Sequence, residues 1–132
     1  YPISLPAMAK SKIDVISYHY YVYRSMINNT RYTLEEVETE LNQKLESSGF
    51  DQVKDIIKTK PFIMGEFGAL MKVFDSPHDA VEPLKHTIDY SHKIGFCGWC
   101  LWTFNSFEQE GLWNGEHENG ILNKTLSQHN LK

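Results

Sequence analysis

The chain has 132 residues, of which 41% are hydrophobic and 23% charged, and its formal net charge is -4 at pH 7. This length suits one compact domain with its own core and is too short for two. The 13 Lys and Arg residues are scattered along the chain, so no basic surface for nucleic acid is predicted. No apolar run approaches the ~20 residues of a membrane span. We therefore expect a single domain without nucleic acid or a membrane span among its partners.

The first part of the chain predicts a strand followed by a helix. Residues 12–23 are rich in Ile, Val and Tyr, which favours a β-strand. Thr33 reads as a helix N-cap, and Glu36 three residues later completes a capping box. Gly49 is predicted to end this helix. Its apolar stripe recurs at spacings of three and four residues: Leu34, Val37, Leu41 and Leu45.

The remainder predicts two further strands with a helix between them. Residues 61–67 form the second strand, and residues 96–104 form the third. Ser76-Pro77 starts the intervening helix, Gly95 ends it, and Pro83 is expected to kink it or delay its start. Its buried face comprises Val81, Leu84, Ile88 and Ser91. A polar loop over residues 105–120 and a short segment over 121–126 follow. Strand and helix in alternation indicate an α/β fold with parallel strands.

Cys97 and Cys100 form a C-x-x-C pattern inside the third apolar run. A redox or zinc role is one interpretation of this spacing. In a strand, however, residues three apart point to opposite faces, so the two sulfurs could neither pair nor share a metal. We predict buried free thiols and no metal site.

Polar and aromatic side chains end each of the three strands, and in parallel α/β sheets chemistry gathers at these carboxyl ends. Strict alternation assigns three sets to shared faces: Ser17, His19 and Tyr21 above Ile13 and Val15; Phe62, Met64 and Glu66; and Gly98, Cys100 and Trp102. A histidine, a tyrosine, a carboxylate and an indole are therefore predicted to converge at one rim.

Glu66 is the main candidate for a functional role. A glutamate at the end of an apolar strand is costly to bury unless it is hydrogen-bonded or has a task. Gly65 and Gly68 on either side permit the close backbone approach that a tight site requires. The alternative is a strand-end glutamate that emerges into solvent. Taken alone, His19, Tyr21 and Trp102 are also compatible with structural roles.

Three segments resemble, in order, the last three strands of clan A glycoside hydrolases, especially family 5, the cellulase and mannanase family. The segment KPFIMGEFG (residues 60–68) is similar to the seventh strand, which presents the nucleophile. DVISYHYY (14–21) resembles the sixth strand with its His-x-Tyr, and GFCGWCLW (95–102) resembles the eighth strand with its terminal tryptophan. The resemblance implies the carboxyl-terminal portion of a (β/α)8 barrel, with its amino-terminal half outside this chain.

The same resemblance implies retaining hydrolysis of β-glycosidic bonds in a glycan or glycoconjugate, without a cofactor. Glu66 would be the nucleophile, and Tyr21 would hydrogen-bond it. His19 would contact the sugar or the catalytic carboxylates, and Trp102 would stack on the sugar. Trp113 and Glu108 are weaker candidates for an outer subsite.

The second carboxyl of the retaining mechanism is the feature that this sequence lacks. It must lie about 5–5.5 Å from the first and act as acid and then as base. In the family it follows an Asn at the end of the fourth strand, and no such Asn-Glu pair ends a strand here. We therefore expect this chain to be inactive alone and to be completed by a missing half-barrel, in the same or another chain.

Two other interpretations stay open. One is a non-catalytic carbohydrate-binding or structural protein derived from such a barrel, and the other is an unrelated α/β domain. The sequons at Asn28 and Asn123 favour an extracellular or secretory location. The sequence does not specify the glycan.

Overall fold

A computed structural model describes residues 4–22, 33–104 and 110–131. Within these ranges the chain forms α1 (Leu5–Lys10), β1 (Ile16–Tyr21), α2 (Leu34–Ser47), β2 (Phe62–Leu70), α3 (Pro77–Lys93), β3 (Gly98–Leu101), β4 (Leu112–Trp113) and α4 (His117–Ser127). Two 3-10 turns, Phe50–Gln52 and Ile56–Lys58, lie between α2 and β2. The mixed α/β class predicted from the sequence is confirmed. Among these helices, none has the length and apolar character needed to cross a membrane.

The sheet is built around β2. It pairs in parallel with β1 on one side and with β3 on the other. The carboxyl end of β2 also pairs antiparallel with β4, where Ala69 lies opposite Trp113. The predicted parallel arrangement of the first three strands is therefore confirmed, although their bounds differ: β2 continues to Leu70, and β3 ends at Leu101 instead of Phe104.

Helix α2 begins at the predicted capping box. The Thr33 hydroxyl accepts the Glu36 N–H at 3.2 Å, and the Glu36 carboxylate accepts the Thr33 N–H at 2.8 Å. Three members of the predicted stripe, Val37, Leu41 and Leu45, are buried, whereas Leu34 in the first turn is exposed. Gly49 follows the helix with a φ of 83°, which an L side chain rarely adopts.

Helix α3 begins at Pro77, as its sequence predicts. The Ser76 hydroxyl caps it by accepting the Asp79 N–H at 3.3 Å. The helix runs through Pro83 to Lys93, so Pro83 does not delay its start. All four residues of its predicted inner face are buried: Val81, Leu84, Ile88 and Ser91.

The core lies between the sheet and these two helices. Ile16, Tyr18 and Tyr20 of β1 point into it, and Phe62 of β2 packs its ring 4.1 Å from that of Phe96, measured between centroids. The Tyr20 hydroxyl reaches the Val37 carbonyl of α2, and the Trp99 indole N–H donates to the Ser91 hydroxyl of α3 at 2.7 Å. These contacts place both helices on one face of the sheet.

The opposite face of the sheet is not covered by the described residues. On this face, Val15 just before β1, His19 of β1 and Cys100 of β3 are all exposed. We call this surface the open face. Fully parallel sheets in proteins are normally covered on both faces, so an open face with exposed apolar side chains is unusual.

The prediction of buried thiols is wrong, because Cys97 and Cys100 are both exposed. Both are free, as expected. Trp99 packs onto α3, so its neighbour Cys100 points to the open face, and Cys97 precedes the strand. The sequence run is apolar throughout, but the described residues cover only one face of β3.

Candidate functional site

Glu66 lies on the open face because β2 contains one residue more than its partner strand. Tyr18 pairs with Met64, but the next residue, His19, pairs with Glu66, which leaves Gly65 as the extra residue of a β-bulge. The predicted sharing of a face by Phe62, Met64 and Glu66 is therefore wrong. Phe62 and Met64 point into the core, whereas the bulge turns Glu66 to the side of His19.

Tyr21 binds one oxygen of the Glu66 carboxylate. Its hydroxyl donates to Oε1 at 2.5 Å. Tyr21 is the last residue of β1 and lies two positions beyond His19, on the same side of the strand. The predicted contact between Tyr21 and Glu66 is thus present in the structure.

His19 lies beside the second oxygen of the same carboxylate. Its Nδ1 atom is 3.3 Å from Glu66 Oε2, and the two side chains are 51% and 25% exposed. A polar contact at this exposure contributes little to stability. The value of the arrangement is therefore orientation: each carboxylate oxygen has a partner, yet the group remains accessible from the open face.

Trp102 reaches the same region through its backbone. Its N–H donates to the Phe67 carbonyl at 2.7 Å, and its own carbonyl oxygen would overlap with a Cβ added at Gly68. The Tyr21 ring flanks Gly68 from the other side, at 3.1 Å from that Cβ position. Any side chain at residue 68 would therefore displace Tyr21 or Trp102. The Trp102 side chain is 41% exposed, and its peptide bond to Thr103 is cis.

The pKa of Tyr21 is raised well above its usual value, first by burial and then by its hydrogen bond to Glu66 and the negative charge of that carboxylate. The folded protein therefore keeps the phenol neutral at a pH where the unfolded chain, with an ordinary pKa of about 10, releases the proton. This contribution to stability is complete below about pH 10 and is lost as the pH rises above it.

Tyr21→Phe is therefore expected to flatten the fall in the free energy of unfolding above about pH 10. Urea unfolding of both proteins at intervals between pH 8 and pH 11 measures the two slopes. Burial also raises the pKa of Tyr18, so part of the alkaline loss is expected to persist in the variant. Parallel curves for the two proteins would contradict the assignment.

The weaker candidates lie elsewhere or outside the described residues. Trp113 in β4 donates its indole N–H to the Phe74 carbonyl at 2.8 Å, and its ring packs edge-on against His117. Glu108 lies outside the described residues, as does the Asn28 sequon. Asn123 of the other sequon lies in α4, where its side chain packs against Gly115.

Two pairs of histidine and carboxylate on the helical side were not predicted from the sequence. His129 Nε2 lies 2.8 Å from Asp89 Oδ1 with both side chains largely buried, and His86 Nε2 lies 2.8 Å from Glu38 Oε1. They border a groove of about 430 Å³ between the helices, on the far side of the sheet from Glu66. The partners within the two pairs are 48 and 40 residues apart in sequence, so no local spacing links either histidine to its carboxylate.

No group of three or more His, Cys, Asp or Glu side chains within residues 4–22, 33–104 and 110–131 is arranged to hold a metal ion. The described chain is thus a mixed α/β domain that carries a carboxylate, a tyrosine and a histidine in contact on the open face of a parallel sheet. Comparison with protein-family models finds no match, and comparison with curated protein sequences finds no significant match.

Proposed function

We propose that this chain is the carboxyl-terminal portion of a (β/α)8 barrel that hydrolyses β-glycosidic bonds with retention of configuration, with Glu66 as its nucleophile. The observation that carries the proposal is the contact of Tyr21 and His19 with the two oxygens of the Glu66 carboxylate. A carboxylate nucleophile has to be oriented and reachable. The hydrogen bond from Tyr21 orients the Glu66 carboxylate, and the open face gives access.

The proposed reaction has two displacement steps. A Glu66 oxygen attacks the anomeric carbon while the glycosidic oxygen leaves with a proton from an acid supplied by the missing part of the barrel. A covalent glycosyl-enzyme results. Water then attacks the same carbon as the former acid removes its proton, which releases the Glu66 carboxylate and restores the original configuration. Tyr21 keeps Glu66 in place through both steps.

The open face supports the barrel part of the proposal. In a closed barrel this face of the three parallel strands points inwards and is covered by the side chains of the other strands. Exposed Ile13 and Val15 would then fill the interior below the site, and Trp102 at the rim would stack against the sugar. We propose that an amino-terminal half-barrel, in the same or another chain, is the partner of this face.

Trapping the covalent intermediate tests this function directly. A 2-deoxy-2-fluoro-β-glycoside with a dinitrophenolate leaving group needs no general acid for the first step, so it tests the nucleophile separately from the missing carboxyl. Incubation with gluco, manno and galacto versions is expected to add the mass of one fluorosugar to the protein. Peptide mass spectrometry is expected to place this mass on Glu66.

The matched controls are Glu66→Gln, which cannot form the ester, and Glu40→Gln, which changes a carboxylate on α2 away from the open face. Labelling should disappear in the first and persist in the second. The protein isolated from its source, with the proposed half-barrel in place, should be labelled faster than the 132-residue chain. Labelling of another residue, or none in either protein, would refute the proposal.

A non-catalytic carbohydrate-binding protein is the second candidate. It is favoured because several other described carboxylates have partners away from Glu66. Glu118 pairs with His78 at 3.1 Å, and Glu36 belongs to the capping box of α2. If the longer polypeptide has no carboxyl opposite Glu66, binding through Trp102 would be retained without hydrolysis. Equal sugar affinity of the native protein and its Glu66→Gln variant, without turnover by either, would select this candidate.

A further inference from the structure

We propose that Gly65 is a positioning residue: its missing side chain lets Ser17 of β1 close against β2, and the resulting bulge turns Glu66 from the core to the open face. The role of the bulge in catalysis rests on the proposed function, but the geometry of the bulge does not. The inference deepens the site by explaining how an acidic side chain in a buried strand reaches the open face.

The register shows what the extra residue accomplishes. Without it, the pairs Ser17–Ile63 and Tyr18–Met64 would be followed by His19 opposite Gly65 and Tyr20 opposite Glu66. Tyr20 is 2% exposed, so Glu66 would then enter the core between the sheet and the helices. A carboxylate there would lose its hydration without gaining Tyr21 as a partner.

The bulge also determines the position of Phe67. In the observed register Phe67 pairs with Tyr20 and is 2% exposed, whereas the regular register would pair it with Tyr21 on the open face. The shift therefore exchanges the environments of two neighbouring residues: Glu66 points to the open face, and Phe67 points into the core. The pairing of β2 with β3 shows the same extra residue. Met64 pairs with Trp99 and Phe67 pairs with Leu101, so β2 advances three residues while β3 advances two.

Ser17 is the residue that a side chain at the bulge would contact first. A Cβ on Gly65 would overlap the Ser17 hydroxyl, would lie 3.3 Å from the Ser17 Cβ and would come within 3.7 Å of His19 Nε2. The space that a side chain at residue 65 would need is thus occupied by Ser17 from the neighbouring strand. Removing the Ser17 side chain should make room for an alanine at residue 65.

The test is a side-chain exchange between the two strands, read by the hydroxyl proton of Tyr21. In this hydrogen bond that proton should give a downfield NMR signal at low temperature, assigned by its absence in Tyr21→Phe. Gly65→Ala is expected to lose the signal, Ser17→Gly to keep it, and the double variant Ser17→Gly/Gly65→Ala to regain it. A role limited to stability would change the melting temperature and leave the signal in place.

Gly98→Ala is the matched control, since it adds the same methyl group to the neighbouring strand, 3.0 Å from the side chain of Ile63, two residues before the bulge. It should keep the signal. Persistence of the signal in Gly65→Ala would overturn the inference, as would its absence from a folded double variant. If Gly65→Ala does not fold, the double variant decides: recovery of folding and signal supports the inference, and failure to fold refutes it.

None of these measurements uses a sugar, so the positioning role and the proposed function can fail separately. Loss and recovery of the Tyr21 signal together with no fluorosugar labelling would keep the bulge and reject the glycosidase. Labelling of Glu66 together with an unchanged signal in Gly65→Ala would support the glycosidase and reject the positioning role of Gly65.

Discussion

Glu66→Gln is expected to lower kcat of the complete protein by about 10⁴-fold or more, the scale seen when a covalent enzyme loses its nucleophile. The amide is nearly isosteric with the carboxylate and can still accept a hydrogen bond from the Tyr21 hydroxyl. It cannot, however, form the ester on which the retaining mechanism depends. Folding and sugar binding should therefore survive while turnover is lost. Steady-state kinetics with an aryl β-glycoside measure the effect.

A smaller side chain separates loss of the nucleophile from damage to the site. Glu66→Ala leaves space beside Tyr21, and added azide can attack the anomeric carbon from the same side as the lost carboxylate. The aryl oxide leaves, and the product is a glycosyl azide of inverted configuration. Recovery of aryl release by azide, with an inverted product, is expected only if Glu66 is the nucleophile. A Glu66→Gln protein that turns over within tenfold of the unchanged protein would exclude the mechanism.

The position of the site residues at one end of the sheet was predictable because it depends on topology. Once the strands are parallel, His19, Tyr21 and Glu66 must come to the same end of the sheet, and their contacts at 3.3 Å and 2.5 Å agree with that expectation. The helix starts were predictable for a similar reason, since Thr33 and Ser76 are local hydrogen-bond acceptors whose partners lie three residues ahead.

The side of the sheet on which Glu66 lies was not predictable by alternation. A period of two assumes that each strand contributes one residue to every pair, and Gly65 breaks this count. The signal was nevertheless present as a glycine directly before the glutamate, because an isolated glycine in a strand pattern suggests a bulge. The exposure of Cys100 was missed for a different reason: local sequence does not reveal that the described part of the chain leaves one face of the sheet uncovered.

Elements formed by long-range contacts were also missed. Helix α1 has six residues, too few for a clear periodic pattern, and it is held by packing, with Pro6 against Gly49 at the end of α2. Strand β4 has two residues, pairs with the end of β2 and is also held by the hydrogen bond from the Trp113 indole to the Phe74 carbonyl. Such short pieces have little intrinsic preference and take their structure from the larger elements that they contact.

Phe62 is fully buried and lies at the centre of an aromatic cluster in the core between the sheet and the helices. Its ring lies 4.1 Å from Phe96 and 5.8 Å from Phe50, measured between centroids, and 6.4 Å from Tyr18. The cluster joins β1, β2, the segment before β3 and the turn after α2. Replacing this ring by a methyl group would leave a cavity bordered by three rings that belong to different elements, and such a site cannot collapse easily.

Phe62→Ala is therefore expected to lower the free energy of unfolding by about 3–5 kcal/mol. Such a loss is a large part of the free energy of unfolding of a domain of this size, so the variant should be partly unfolded at 37 °C. Phe104→Ala is the matched control, because that ring is 65% exposed and its removal should change stability by about 0.5 kcal/mol or less. Urea unfolding at pH 7, followed by tryptophan fluorescence, compares the two. A Phe62→Ala loss as small as that of the control would mean that the aromatic cluster is not the centre of the core.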